Sequence, residues 1–323
     1  MLGRVLLIAA FACLPFNVLN AASFDENWKR CIDEKEIPNV AIRACTDSIE
    51  SGLLNNEWLA DAFFRRGIQE SRKGAPKEAI SDLTQAIKIK AGFADAYYNR
   101  GLVYSRAGLN DKAIADFNDA IRIKPELAGA FYSRGVSYYY KQDYKRAIAN
   151  ETLAITLKPD FAEAYINRCH FRVKLGKLGL ALEDCAVALR LQPGAPSALW
   201  NRGFIHLSLE YFDEKITHFE SALEDFNAVL EHHSGWASAL YGRSLALRAT
   251  GAIAAADMDL EAAKQLYPNI EAEYAERSEE FDFLNNAAGT VKRSPIDLLP
   301  KLPIASMVLG TIPSLDLLLV RDK

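Results

Sequence analysis

The side chains of this 323-residue chain best suited to chemistry are five histidines and five cysteines. His170, His206, His218, His232 and His233 show no metal-ligand spacing. His232 and His233 are adjacent, so on a helix they point in different directions and do not readily share an ion. There is no HExxH, no Gly-rich phosphate loop, no nucleophile elbow and no CxxC, and Cys169-His170 lacks the second cysteine of a haem-attachment motif. Asn150-Glu151-Thr152 matches a glycosylation sequon but falls inside an expected helix, where it is read as chance. The residues therefore lead us to expect no catalytic group, no metal and no cofactor. The thiols need another explanation.

Composition and the chain start narrow the setting. In "MLGRVLLIAAFACLPFNVLNAASF", Arg4 precedes an apolar run from Val5 to Leu14, and small residues follow at Ala21 and Ala22. That order is the order of a secretory signal, expected over residues 1–22 with cleavage near Ala21 or Ala22. The run is too short, and too interrupted by Pro15 and Asn17, to span a bilayer. Ala10-Phe11-Ala12 before Cys13 is a poor lipoprotein box, so Cys13 is assigned to the signal and not to the folded part. A net charge of −4 without a long basic run removes the electrostatic footprint of a nucleic-acid binder. Half the residues are apolar and no long strand-like alternation occurs, which reads as all-helical.

What must position these side chains is a repeat. "FFRRGIQ", "YYNRGLV", "FYSRGVS", "YINRCHF", "LWNRGFI" and "LYGRSLA" align so that Gly67, Gly101, Gly135, Cys169 and Gly203 fall 34 residues apart. Ser244 follows after 41, one period plus an insertion of seven. Small residues recur downstream at Ala79, Ala113, Ala147, Ala181 and Ala256, and again at Ala86, Ala120, Ala154, Ala188 and Ala263. Prolines end several units at Pro125, Pro159, Pro193 and Pro268. Each unit holds two helical stretches broken by turns such as Lys73-Gly74-Ala75-Pro76. No single hairpin can bury its apolar face, so neighbours must stack. In the repeat with the insertion, Phe212, Ile216, Phe219, Leu223, Phe226 and Leu230 keep a helical stripe, which places the extra residues at the start of its second helix.

These columns resemble the tetratricopeptide repeat over residues 60–270. The resemblance implies an all-α, right-handed solenoid of stacked antiparallel hairpins. The expected parts are a degenerate first hairpin at 23–56, repeats at 60–93, 94–127, 128–161, 162–195, 196–236 and 237–270, a capping helix at 271–286 and an irregular tail at 287–323.

The cysteines then acquire a register. Cys169 sits in the glycine column and Cys185 in the aromatic column, on either side of the Gly176-Lys177 turn, so antiparallel helices place them at one height. Cys31 and Cys45 repeat the arrangement about Pro38. With an export signal ahead of them, the expectation is two disulfides, Cys31–Cys45 and Cys169–Cys185, each worth on the order of 3 kcal/mol in the chain-entropy model. The alternative is reduced thiols acting as small hydrophobes.

Arg66, Arg100, Arg134, Arg168, Arg202 and Arg243 stand just before the glycine column. They are either a basic ladder for a polyanion or internal partners of Asp82, Asp116, Asp184 and Asp259; recurrence of the acids at matching spacing favours pairing. In the family the first helices line a concave face. Matching columns would place Tyr98, Asn99, Leu102, Tyr132, Val136, Tyr139, Ile166, Asn167, His170, Trp200, Asn201, Phe204 and Leu207 there, although any one of them could equally be inter-helix core. Tyr and Trp suit peptide capture, and Asn99, Asn167 and Asn201 resemble asparagines that hold peptide backbones in some members. The lysine-rich clamp for a terminal carboxylate is not reproduced.

After Gly289 the tail carries Pro295, Pro300, Pro303 and Pro313 among apolar residues, with Asp316 opposing a membrane span. Docking on the solenoid or on a partner is expected of it. The expected function is a non-catalytic scaffold, exported to the periplasm, that binds a protein or peptide segment. No nucleic acid and no stable membrane span are expected. Two alternatives stay open: an accessory domain or enzyme acting on an envelope polymer, and an oligomer assembled through the tail.

Overall fold

In a computed structural model, the structure describes residues 16–33, 35–213 and 217–272. Most of the expected signal peptide (residues 1–15), nearly all of the expected capping helix and the whole tail lie outside these residues. Among the described residues there are fourteen helices and no strand. The chain divides into two compact units between Ile123 and Lys124.

The first unit contains α1 (Phe16–Ile32), α2 (Pro38–Glu50), α3 (Asn56–Arg72), α4 (Pro76–Ile89), α5 (Ala94–Arg106) and α6 (Asn110–Ile123). Consecutive helices pack as hairpins, and α2 against α3 and α4 against α5 join one hairpin to the next. The expected cleavage point at Ala21 or Ala22 falls within the early part of α1. The second unit contains α7 (Ala128–Tyr140), α8 (Tyr144–Leu157), α9 (Ala162–Lys174), α10 (Leu178–Leu191), α11 (Pro196–Asp213), α12 (Thr217–His232), α13 (Ala237–Ala249) and α14 (Ile253–Leu266). Its hairpins stack in the same way.

The turn inside a hairpin explains one glycine column. Gly74, Gly108, Gly176 and Gly251 all have φ between 67° and 86°, where a side chain is strained. The next residue closes the helix end by donating its N–H five residues back, as Ala75 does to the carbonyl of Glu70 (2.9 Å) and Leu109 to that of Tyr104 (2.9 Å). Gln142 occupies this place in α7–α8 with φ 60° and makes the same closure through Asp143 and Tyr138 (3.0 Å).

The other glycine column explains how closely the helices approach. A Cβ at Gly101 would lie 2.7 Å from the Phe117 ring, and one at Gly67 would lie 2.9 Å from Leu83. Each glycine thus faces a large apolar residue on the second helix, and Ala79, Ala86, Ala113 and Ala120 are fully buried beside them. In α9–α10 the facing pair is Cys169 and Cys185, both fully buried. Two short side chains joined by a bond fill the space that glycine and phenylalanine fill elsewhere.

The insertion is placed differently from the expectation of extra turns at the start of the second helix. Counted from the preceding hairpin, α11 runs on five residues to Asp213 and α12 begins two residues early at Thr217, which together account for the seven. The first helix takes most of the length, and Ser208, in the column where Tyr140 and Lys174 end α7 and α9, is buried. The apolar stripe fixed the far end of α12, where Phe226, Val229 and Leu230 are core, and said nothing about the end of α11.

Candidate protein-binding face

The arginine column is internal. Arg66 donates from Nε and Nη2 to the two carboxylate oxygens of Asp82 at 2.7 and 2.8 Å, and Arg100 does the same to Asp116 at 2.8 and 2.7 Å. In the second unit Arg168 takes Asp184 at 2.9 and 2.7 Å, Arg202 takes Asp225, and Arg243 takes Asp259 at 2.6 and 2.7 Å. Most also reach the preceding hairpin: Arg66 to Thr46, Arg100 to Thr84, Arg168 to Thr152 and Arg243 to Asn227. Each such arginine ties three helices together, and the bidentate geometry makes it a strong tie. The hydrogen bonds to Asp82 and Asp116 raise the pKa of Arg66 and Arg100, whereas burial lowers that of Arg134, whose partner in this position is the uncharged Asn150 (2.8 Å). These charges are spent on packing, not offered to a polyanion.

The expected groove residues separate into two groups. Tyr98 and Leu102 on α5, Tyr132 and Val136 on α7, and Ile166 on α9 are half-buried. Tyr98 packs on Phe117 (ring centroids 5.9 Å) and Tyr132 on Phe161 (5.0 Å). Asn99, Tyr139, Asn167, His170, Trp200, Asn201, Phe204 and Leu207 are buried, Phe204 to 1 % exposure. The asparagines already have partners: Asn99 donates to the carbonyl of Asp95 (2.8 Å), Asn167 to Glu151 (3.4 Å), and Asn201 accepts from His170.

The buried group forms a row through the second unit. Asn201 Oδ1 can only accept, so the proton of His170 sits on Nδ1 (3.0 Å), and Nε2 accepts from the Tyr139 hydroxyl at 3.3 Å. Burial, then the charge of Lys174, pushes the His170 pKa down to about 3, so this imidazole is neutral. Trp200 lies between His170 and Trp236 (centroids 6.4 and 6.2 Å) and donates from Nε1 to Ser238 (3.0 Å). Tyr139 stacks on Phe171 at 4.8 Å.

The cysteines pair as the register predicts. Cys31 and Cys45 are bonded with Cα atoms 4.7 Å apart, and Cys169 and Cys185 with Cα atoms 5.6 Å apart. Trp28 and Trp58 stack at 5.4 Å beside the first pair.

Glu151, which the sequence presents only as part of a sequon, is a buried acid. It occupies the column of Leu83, Phe117, Cys185 and Phe226, is fully buried, and its Oε2 has no hydrogen-bond partner. Burial holds its pKa well above the usual carboxylate range, against the opposing pull of Asn167 and Arg168. Its column position was legible in the repeat alignment.

Among the described residues, no three or more His, Cys, Asp or Glu side chains converge as a metal-binding group, and no helix is long and apolar enough to cross a membrane.

Residues 94–127, which form α5 and α6, match the family model of the tetratricopeptide repeat. Two solved structures share the fold. A tetratricopeptide repeat protein from Parabacteroides merdae is 19 % identical, with 78 % of this chain and 96 % of that one covered and a TM-score of 0.57. The structure described as the functional characterization of Pseudomonas aeruginosa pilF is 18 % identical, with 72 % and 99 % covered and a TM-score of 0.58. No curated protein matches the sequence. One repeat is matched by sequence, its columns recur through both units, and the chain has the fold of these tetratricopeptide repeat structures.

Proposed function

We propose that this protein is an exported, non-catalytic scaffold of the periplasm whose first helices bind a segment of a protein partner. The observation that supports it most is the half-buried aromatic and aliphatic surface of those helices, Tyr98 and Leu102 in the first unit and Tyr132 and Val136 in the second. The arginines next to them are hydrogen-bonded internally, Arg100 to Asp116 and Arg134 to Asn150, so recognition rests on apolar area and tyrosine hydroxyls more than on charge. An extended or helical segment could set its side chains between such rings. The paired cysteines support an oxidising compartment, and the basic-apolar-small order of the chain start supports export. Self-association through residues 290–323 belongs to the same reading as a second mode of contact.

The test is photo-crosslinking from one position at a time. A photoreactive residue at Tyr132 should give a discrete adduct with a partner, and one at Leu153, exposed on the second helix α8, should not. Adducts from Leu153 alone, or equally from both, would overturn this reading of the face.

A further inference from the structure

The seven-residue insertion creates a pair of imidazoles that no other repeat contains. His206 lies on α11, and His218 is the second residue of α12, within the two residues by which that helix starts early. Their Nδ1 atoms are 3.3 Å apart, with ring centroids at 5.5 Å and planes 28° from parallel. Both side chains are half-buried, so solvent reaches them.

For an ion with metal–nitrogen bonds of about 2.0–2.1 Å in tetrahedral geometry, two ligand nitrogens sit about 3.3–3.4 Å apart. The observed separation is that edge. A single N–H···N bond also joins two neutral imidazoles, but 3.3 Å lies at its long limit, and one bond leaves the second ring's proton to solvent.

We propose that His206 and His218 form a binding site for a borderline divalent transition-metal ion of the zinc, nickel or copper type. Imidazole nitrogen selects that class over calcium and magnesium, which require oxygen ligands. Among the described residues no third His, Cys, Asp or Glu joins the two imidazoles as a ligand group. Bound metal would link α11 to the start of α12 in the hairpin that carries the insertion.

The experiment is calorimetric titration of the whole folded chain with Zn2+ alone near neutral pH. One ion per chain is expected, with binding lost in His218→Ala and kept in the His232→Ala/His233→Ala double variant. Histidine-modification mapping of the unaltered protein supplies a readout without substitutions: Zn2+ should protect His206 and His218 from carbethoxylation and leave His232 and His233 unchanged. Absence of saturable binding, binding unaffected by His218→Ala, or equal modification of His206 and His218 with and without Zn2+ would each overturn the proposal.

Discussion

Replacing Glu151 should make the protein more stable, and the gain should depend on pH. The carboxyl is fully buried where other repeats hold Leu83 or Phe117, one oxygen has no hydrogen-bond partner, and the other is held only by Asn167 at 3.4 Å. An unmet buried acceptor costs about 1–3 kcal/mol, which is the gain expected at neutral pH from Glu151→Leu. The leucine has precedent, since Leu83 faces Gly67 as Glu151 faces Gly135. The pH dependence follows from the direction of the shift. Because the folded pKa is raised above the ordinary 4.5, the folded state binds more protons than the unfolded chain once pH exceeds that value. Glu151 therefore favours folding fully below the unfolded pKa, and this contribution falls as pH rises through the folded pKa, by up to about 1.4 kcal/mol per pH unit. Arg168 relieves this only in part, because its guanidinium is held by Asp184. Urea unfolding across a pH series, with wild type beside Glu151→Gln and Glu151→Leu, isolates this one group by difference. Both variants should flatten the decline above pH 4.5, and Glu151→Leu should be the most stable at neutral pH. An unchanged pH slope in Glu151→Gln, or a Glu151→Leu protein less stable than wild type at neutral pH, would refute the argument.

His170 should act in the opposite sense. With its folded pKa lowered to about 3 by burial, its contribution is complete above 6.5 and is lost as pH falls from there toward 3, so His170→Gln should reduce acid sensitivity in the same unfolding series. Replacing Cys169 and Cys185 together by alanine should cost about 3 kcal/mol, read from the urea midpoint under non-reducing conditions. Gln142→Gly should stabilise by about 1 kcal/mol, read as a rise in Tm, since Gln142 is the non-glycine residue with positive φ among the described residues.

Much of the fold was legible because its signals repeat. One glycine, one alanine or one arginine proves little, but a column at fixed period constrains every hairpin at once. The same redundancy gave the cysteine pairing, since two thiols in facing columns about a turn must meet. It also gave the arginine pairing with Asp82, Asp116, Asp184 and Asp259 but not with Asp225, because the insertion shifts that residue seven positions out of register with Asp184. What periodicity could not give was the depth of each first-helix residue. Trp200 and Phe204 share columns with Tyr98 and Leu102, yet the former are interior and the latter half-buried, because the neighbours of α11, Trp236 and Phe226, supply rings that cover them. The division of the insertion between α11 and α12 was hidden for a related reason: a stripe on one helix does not report where its predecessor ends. The pairing of His206 with His218 depends on that division.

The account rests most heavily on the chain working outside the cytoplasm as a repeat scaffold stapled within its hairpins. One intact-mass spectrum tests this directly: the protein is recovered from a periplasmic fraction, alkylated under denaturing conditions without reductant, and weighed. The predicted result is a species beginning just after Ala21 or Ala22 that takes up no alkyl group until reductant is added, and four thereafter. Recovery of the uncleaved chain in the cytoplasm with its thiols freely alkylated would contradict the account.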